Sequence, residues 1–351
     1  MPKKSTELLA GDTDGVAYEF SVFRFAGSDR SAPRAYLQAA LHGDEMPGVA
    51  AIHALMPKLR AAEAEGRIKG DITVVPWANP VGRAQYLFGV VQGRFHLGTR
   101  TNFNRDFPLV ATPEANALPV ESELETIDQK LKTRLLSLSL GHDIVLDLHC
   151  DDEGVAYLYV PVALWPTMSD CAAAMGVEAV ILWDGSSGAS FDEASLHPYR
   201  EREARDLAGL AITTAEFRGQ VDVERDLGER DAQGLYRLLV GRGVIADGET
   251  PQGDGFRGLV APIDHVEMLR APRAGVILYD VKPGDHVAEG QRIASIVHSP
   301  GEQNGQVDVL APQAGFILTR RSHRQTRAGD DLVKLVGERP SATARAGALE
   351  A

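Results

Sequence analysis

His42 and Glu45 stand three residues apart in Leu41-His42-Gly43-Asp44-Glu45-Met46-Pro47-Gly48, directly after the strand-like run 35–41. One tight turn at that spacing aims an imidazole and a carboxylate at the same point, a common way of supplying two ligands to a metal ion. Asp147-Leu148-His149, far along the chain, offers a third. Three protein ligands leave the fourth position of a tetrahedral zinc ion open for water, the arrangement of a catalytic and not a structural site. Spacing alone decides nothing, because His286-Val287-Ala288-Glu289 repeats the pattern. Position separates the two: His42 lies between a strand and the Pro47-Gly48 helix start, where α/β proteins keep their sites.

Strands are predicted over residues 16–25 and 34–41. A helix is predicted over 47–60, with Val49, Ile52, Leu55, Met56 and Leu59 on helical spacing. Residues 72–77 form a short strand closed by Asn79-Pro80. From Gly82 to Pro108 periodicity is lost while Gly, Arg and aromatic residues accumulate, as in a site loop. Leu124, Ile127, Leu131, Leu135 and Leu138 predict a helix over 121–140, which leads through Gly141 into a strand over 144–149. Strands at 157–160 and 180–183 flank a helix over 163–175, and residues 212–217 form a strand with Glu216 near its end. The Gly- and Ser-rich segment 185–190 is a loop, either plain surface or a closure over a pocket. This alternation predicts an α/β fold with a largely parallel or mixed sheet covered by helices.

A Gly-rich polar stretch over 248–258 marks a boundary, beyond which short strands and turns take over. There Ala271-Pro272-Arg273-Ala274-Gly275-Val276-Ile277-Leu278 recurs as Ala311-Pro312-Gln313-Ala314-Gly315-Phe316-Ile317-Leu318, and each copy runs through a glycine turn, Gly290 or Gly329. The two-half pattern resembles the lipoyl/biotinyl-carrier fold, a flattened β barrel with quasi-twofold symmetry. No lysine occurs between Lys282 and Lys334, where a working carrier presents its modified lysine, so attachment of lipoate or biotin is not expected. The domain is instead a scaffold, a rim for the site or a homo-oligomer contact, and its own His-x-x-Glu is solvated surface. The expected organisation is a catalytic domain at 1–250, a small all-β barrel-sandwich-like domain at 251–340 and a frayed tail at 341–351.

The 351 residues, 44% apolar and 24% charged, are ordinary for a globular protein. A formal net charge of −13 argues against nucleic acid or anionic membrane as partner. No signal-peptide-like or spanning apolar run is present, which places the chain in the cytoplasm. Cys150 and Cys171 make no disulfide framework, and Cys150 reads as a small buried side chain.

His42-Gly43-Asp44-Glu45, Asn104-Arg105-Asp106-Phe107-Pro108, Asp147-Leu148-His149 and Glu216 follow one another in an order and at intervals that resemble the succinylglutamate desuccinylase/aspartoacylase family, a branch of the zinc carboxypeptidase clan. The resemblance covers about residues 20–240 and implies a zinc-carboxypeptidase-like fold and cleavage of the amide of N-acyl amino acids. It implies His42, Glu45 and His149 as ligands of one zinc ion and Glu216 as general base. Asn104 and Arg105 resemble the pair that grips a substrate carboxylate, a guanidinium fork matching two oxygens. A further arginine should hold the oxyanion, and Arg94 and Arg100 stand as equal candidates. Relatives usually carry an aspartate where this chain has Asn102, so a weaker acceptor orients the first histidine.

The acidic run Asp151-Asp152-Glu153 is the other departure. If Asp151 and Asp152 face the pocket they repel dicarboxylates and attract an amine. An N-acetyl diamino acid, with a carboxylate for Arg105 and an ammonium for the acids, suits both features. Two alternatives are a metallocarboxypeptidase acting on short peptides and a non-catalytic binding protein of the same fold.

Overall fold

The structure is a computed structural model and describes residues 2–248 and 255–342. The boundary expected at residue 250 and positions 343–351 of the expected tail lie outside the described residues. Nine strands form one sheet: β1 (Lys3–Ala10), β2 (Ala17–Phe25), β3 (Ala35–Ala39), β4 (Ile72–Val75), β5 (Ile144–Asp151), β6 (Ala156–Pro161), β7 (Ala179–Trp183), β8 (Ala211–Gly219) and β9 (Leu259–Pro262). Their spatial order is β1-β2-β4-β3-β5-β8-β6-β7-β9. The centre, β4-β3-β5-β8, is parallel, whereas β1, β2 and the β8–β6 pairing are antiparallel, so the sheet is mixed. Every residue of β3 and β4 is buried, as expected of strands covered on both faces.

Among the described residues the helices are α1 (Pro47–Ala64), α2 (Ile127–Ser139), α3 (Ser169–Met175), α4 (Phe191–Leu196) and α5 (Arg225–Gly241), with a further single turn at Ala204–Leu207. Helix α1 lies on the face that carries Ala39 and Leu148. It approaches so closely that a Cβ added to Gly48 would sit 2.7 Å from the Leu148 Cβ. Side chains alternate along a strand, so Tyr36, Gln38, Asp147 and His149 point the other way. There the ring of Phe191 on α4 packs 5.9 Å from that of Tyr36.

Several elements differ from their expected form. The helix expected over 121–140 begins at Ile127, because Leu124 and Thr126 are extended and Gln129 folds back to accept the Thr126 N–H. The helix expected over 163–175 spans only Ser169–Met175, since Trp165, the residue before Pro166, is extended. Strand β1 and helix α5 went unpredicted. β1 is a polar edge strand with mostly exposed side chains, while α5 carries a legible stripe of Ala232, Leu235, Leu238 and Leu239.

Beyond β9, itself part of the large sheet, the chain builds two small antiparallel sheets. One takes Val266–Arg270, Asp331–Gly337, Gly315–Arg320 and His286–Val287 in that order; the other takes Gln306–Leu310, Arg292–Val297, Gly275–Tyr279 and Gln325–Thr326. The repeated segments supply matching strands, Gly275–Tyr279 and Gly315–Arg320, one to each sheet, around a core that includes Ile277, Ile293, Ile296, Ile317 and Leu335. Residues of the first domain join in: Glu153 and Gly154 pair with Arg320 and Thr319. Ser341, at the start of the expected tail, is buried and donates its N–H to the Asp264 carbonyl at 2.7 Å. No helix among the described residues is long and apolar enough to cross a membrane.

Candidate functional site

Strand β3 ends at Ala39, and Ala40, with φ +55°, turns the chain sharply into Leu41-His42. The turn that follows is tight at Gly43, where a Cβ would lie 2.3 Å from the Arg83 nitrogen. His42 and Glu45 therefore hang from the end of β3, and His149 from the adjacent β5. All three are buried, and their ligand atoms lie within 4.8 Å of one another. No other group of this kind occurs among the described residues. His286 and Glu289, with the same spacing, are exposed.

The histidines are oriented from behind. His42 Nε2 donates to Asn102 Oδ1 at 2.9 Å, and that oxygen also accepts the Asn104 N–H at 2.9 Å, which fixes the amide's orientation. His149 Nε2 donates to Asp147 Oδ2 at 2.8 Å. Asp147 Oδ1 accepts from Gln38 Nε2 at 2.9 Å, and Gln38 Oε1 accepts from the Tyr36 hydroxyl at 2.8 Å. With Nε2 of each ring so engaged, Nδ1 faces Glu45, 2.8 Å from Oε1 for His42 and 2.8 Å from Oε2 for His149. A cation at this point, a proton on the ring or a metal ion, is what holds each nitrogen against the carboxylate. Two imidazole nitrogens and a carboxylate are a zinc donor set, and their far-side partners are the carboxylate or amide oxygens such ligands use. Burial holds the His42 pKa below its ordinary value. At His149 burial works the same way, but the Asp147 and Glu45 carboxylates outweigh it and hold the ring well above the usual range.

Glu216 lies on β8 opposite His149 of β5 in the parallel ladder. Its Oε2 is buried without a hydrogen-bond partner. Burial, with the Glu45 and Asp151 charges beside it, pushes its carboxyl up to about 8 against the pull of His149 and Lys334.

Of the two arginines weighed for the oxyanion, only Arg94 reaches the site, its Nη1 3.6 Å from Glu45 Oε1. Arg100 is exposed on a turn closed by its own N–H to the His96 carbonyl at 2.7 Å, with φ +63°, and does not line the cavity. Asn104 and Arg105 do line it. Asn104 is also a brace: its Oδ1 accepts the Phe191 N–H at 2.8 Å, and its Nδ2 lies 3.4 Å from His149 Nε2. Arg105 bends back to donate to the Asn104 carbonyl at 2.7 Å, and its stem lies under Gly188. The Gly-Ser loop is thereby tied to the site, since Gly188 and Ala189 carbonyls accept the N–H groups of Asp106 and Phe107.

The acidic run meets the β domain. Asp151 Oδ2 accepts from Lys334 Nζ at 2.5 Å and from the Tyr157 hydroxyl at 2.9 Å. Asp152 Oδ1 accepts from Ser322 Oγ at 3.2 Å. Glu153 pairs with Arg320 at 2.5 Å and Arg324 at 2.6 Å, and both guanidinium groups lie against the Tyr279 ring. Asp151 and Asp152 line the cavity, yet the Asp151 charge is already shared with Lys334, which is itself buried there. Lys334 escaped sequence reasoning; its only local signal is a lysine inside the apolar run Leu332-Val333-Lys334-Leu335-Val336. Gln38, a polar residue in a wholly buried strand, was likewise a legible signal of the relay behind His149.

A family model described as succinylglutamate desuccinylase/aspartoacylase catalytic domain matches residues 31–242. The N-alpha-acetyl-L-2,4-diaminobutyric acid deacetylase of Halomonas elongata is 25% identical over 311 residues, 86% of this chain and 81% of that one. Among solved structures, a succinylglutamate desuccinylase/aspartoacylase family protein from Shewanella amazonensis superposes with TM-score 0.83 at 24% identity, covering 96% of this chain and 99% of that one. A product-bound ectoine utilization protein from Ruegeria pomeroyi superposes with TM-score 0.68 at 20% identity, covering 96% and 95%. These two structural likenesses speak to the fold.

Proposed function

The chain belongs to the succinylglutamate desuccinylase/aspartoacylase family, and on that premise we propose that it is a zinc-dependent amidohydrolase removing the acyl group from a small N-acyl amino acid. The observation that carries the reading is the buried His42, Glu45 and His149 set beside Glu216, whose Oε2 has no partner of its own. The three ligands would hold one zinc ion per chain. When bound, that ion would supply the Lewis acidity that polarises the amide carbonyl and makes water nucleophilic near neutral pH. Glu216 takes a proton from the attacking water at its carboxylate and returns it to the departing amine nitrogen. Burial raises this carboxyl to about 8, and the charge of a zinc ion would draw it back toward the range in which it both accepts and gives up a proton. Arg94 lies where its guanidinium can hold the carbonyl oxygen as negative charge develops on it. Arg105, braced through Asn104, takes the substrate carboxylate. Water adds across the amide, leaving a carboxylate and a free amine.

An N-acetyl diamino acid is the substrate kind this reading favours. The relative named for such a reaction supports it, and Asp152 lines the cavity as an acceptor for an ammonium group, Asp151 being paired with Lys334. The test compares wild type, His149→Ala and Glu216→Gln for metal content and for turnover of a panel of N-acyl amino acids. Wild type should carry about one zinc per chain and His149→Ala little, as for a site with three protein ligands. Glu216→Gln should keep the metal and lose about 10²–10⁴-fold in kcat. Undiminished turnover in Glu216→Gln, or undiminished zinc in His149→Ala, would sink the reading.

A further inference from the structure

The cavity beside the metal ligands has a volume of about 1170 Å³, above the roughly 300–1,000 Å³ of pockets that enclose drug-sized ligands. A small acetylated amino acid leaves most of that space unfilled. The unfilled part has its own chemistry. From Glu216 on β8 the cavity runs across the next strands of the sheet, past Tyr159 on β6, Leu182 and Trp183 at the end of β7, and Pro262 and Ile263 at the end of β9. Val162, just beyond β6, adds to this wall and is 46% exposed. Three strand spacings of about 4.8 Å give the wall a length on the order of 14 Å. Leu182, Trp183, Val162, Pro262 and Ile263 make it mainly apolar, with Asp184 and Asp264 lining the same cavity, and it shares that cavity with Glu216. Contiguous apolar surface inside such a cavity is where the apolar part of a ligand seats.

We infer that the site also takes ligands that carry, besides a carboxylate and the scissile amide, an apolar portion larger than a methyl group, which lies along this wall. The assignment of the amide rests on the hydrolase reading; the wall does not. Calorimetric binding to zinc-loaded Glu216→Gln tests the wall without turnover. Two ligand series serve: acyl chains from acetyl to octanoyl on one amino acid, and acetyl groups on amino acids with lengthening alkyl side chains. In at least one series Kd should fall about fourfold for each of the first few methylenes, the factor for burying each CH₂. Adding Leu182→Asp or Ile263→Asp, on different strands, should flatten that slope. A Kd that stays level or rises in both series, or a slope unchanged in both variants, overturns the inference. Turnover of the same compounds by the wild-type enzyme separates the two claims. Ligands that bind with the slope but are never cleaved sustain the wall and remove the hydrolase reading. Cleavage without any slope removes the wall alone.

Discussion

Asn102 shows how much one amide oxygen can decide. It accepts from both the His42 ring and the Asn104 backbone, so it sets the tautomer of one metal-facing imidazole and the course of the loop that carries Arg105. Asn102→Ala should lower zinc affinity by about 10–100-fold, the usual cost of losing such a partner, as read by competition with a chelator. Asn102→Asp should restore the affinity, and an unchanged Asn102→Ala would mean that the ring is held by something else. His142 offers a prediction about pH. Burial lowers its pKa from 6.5 to about 4, and the ring sits edge-on to Tyr36 with its Nδ1 3.0 Å from the Ser139 carbonyl. A folded-state pKa below the unfolded one means stability that is present above pH 6.5 and lost as pH falls toward about 4. His142→Gln should flatten that part of the acid limb in a urea-unfolding series across pH. An identical limb would assign the acid sensitivity to other groups.

Among the elements, β3, its turn and α1 form the unit that presents His42 and Glu45, and Gly48 is its close contact with β5. Gly48→Ala would place a methyl group 2.7 Å from the Leu148 Cβ and 2.9 Å from the Leu148 carbonyl oxygen. Overpacking of that kind costs about 1–3 kcal/mol. Because Leu148 precedes His149, zinc affinity should fall along with thermal stability; a loss of stability with affinity intact would show that β5 moves as a rigid strand. This unit was legible in the sequence, since β3, α1, β5 and β8 all carry apolar patterns of the right period, and the ligands fall at their ends. What was not legible has physical causes. Arg94 and Arg100 lie in one aperiodic loop, and only the left-handed turn at Arg100 tells which of them reaches the site. The break before Ile127 depends on two extended residues that leucine spacing does not reveal. The partners of Asp151, Asp152 and Glu153 come from the β domain, and nothing local to the acidic run names them.

For the molecule as a whole, the C-terminal β strands close one side of the cavity with Arg321, Asp331 and Lys334. Lys334 faces Asp151 with both side chains nearly sealed from solvent, 6% and 10% exposed. Lys334→Met would leave a buried carboxylate without its partner and should cost about 3–5 kcal/mol, whereas removing both charges with Asp151→Asn and Lys334→Met should recover most of that loss. Urea midpoints of the four proteins in the cycle measure the coupling, and additive losses would mean that the pair contributes nothing beyond its separate contacts. The pair also spans 183 positions. Loop closure on that scale belongs to the slow, late part of folding, and a chain emerging from the ribosome folds from its N-terminal side first. A nascent chain thus holds all three metal ligands and Glu216 well before the residue that neutralises Asp151 has been synthesised. The groups proposed to hold zinc can meet their ion before the pocket is complete, and the strand that carries Lys334 is made after all of them.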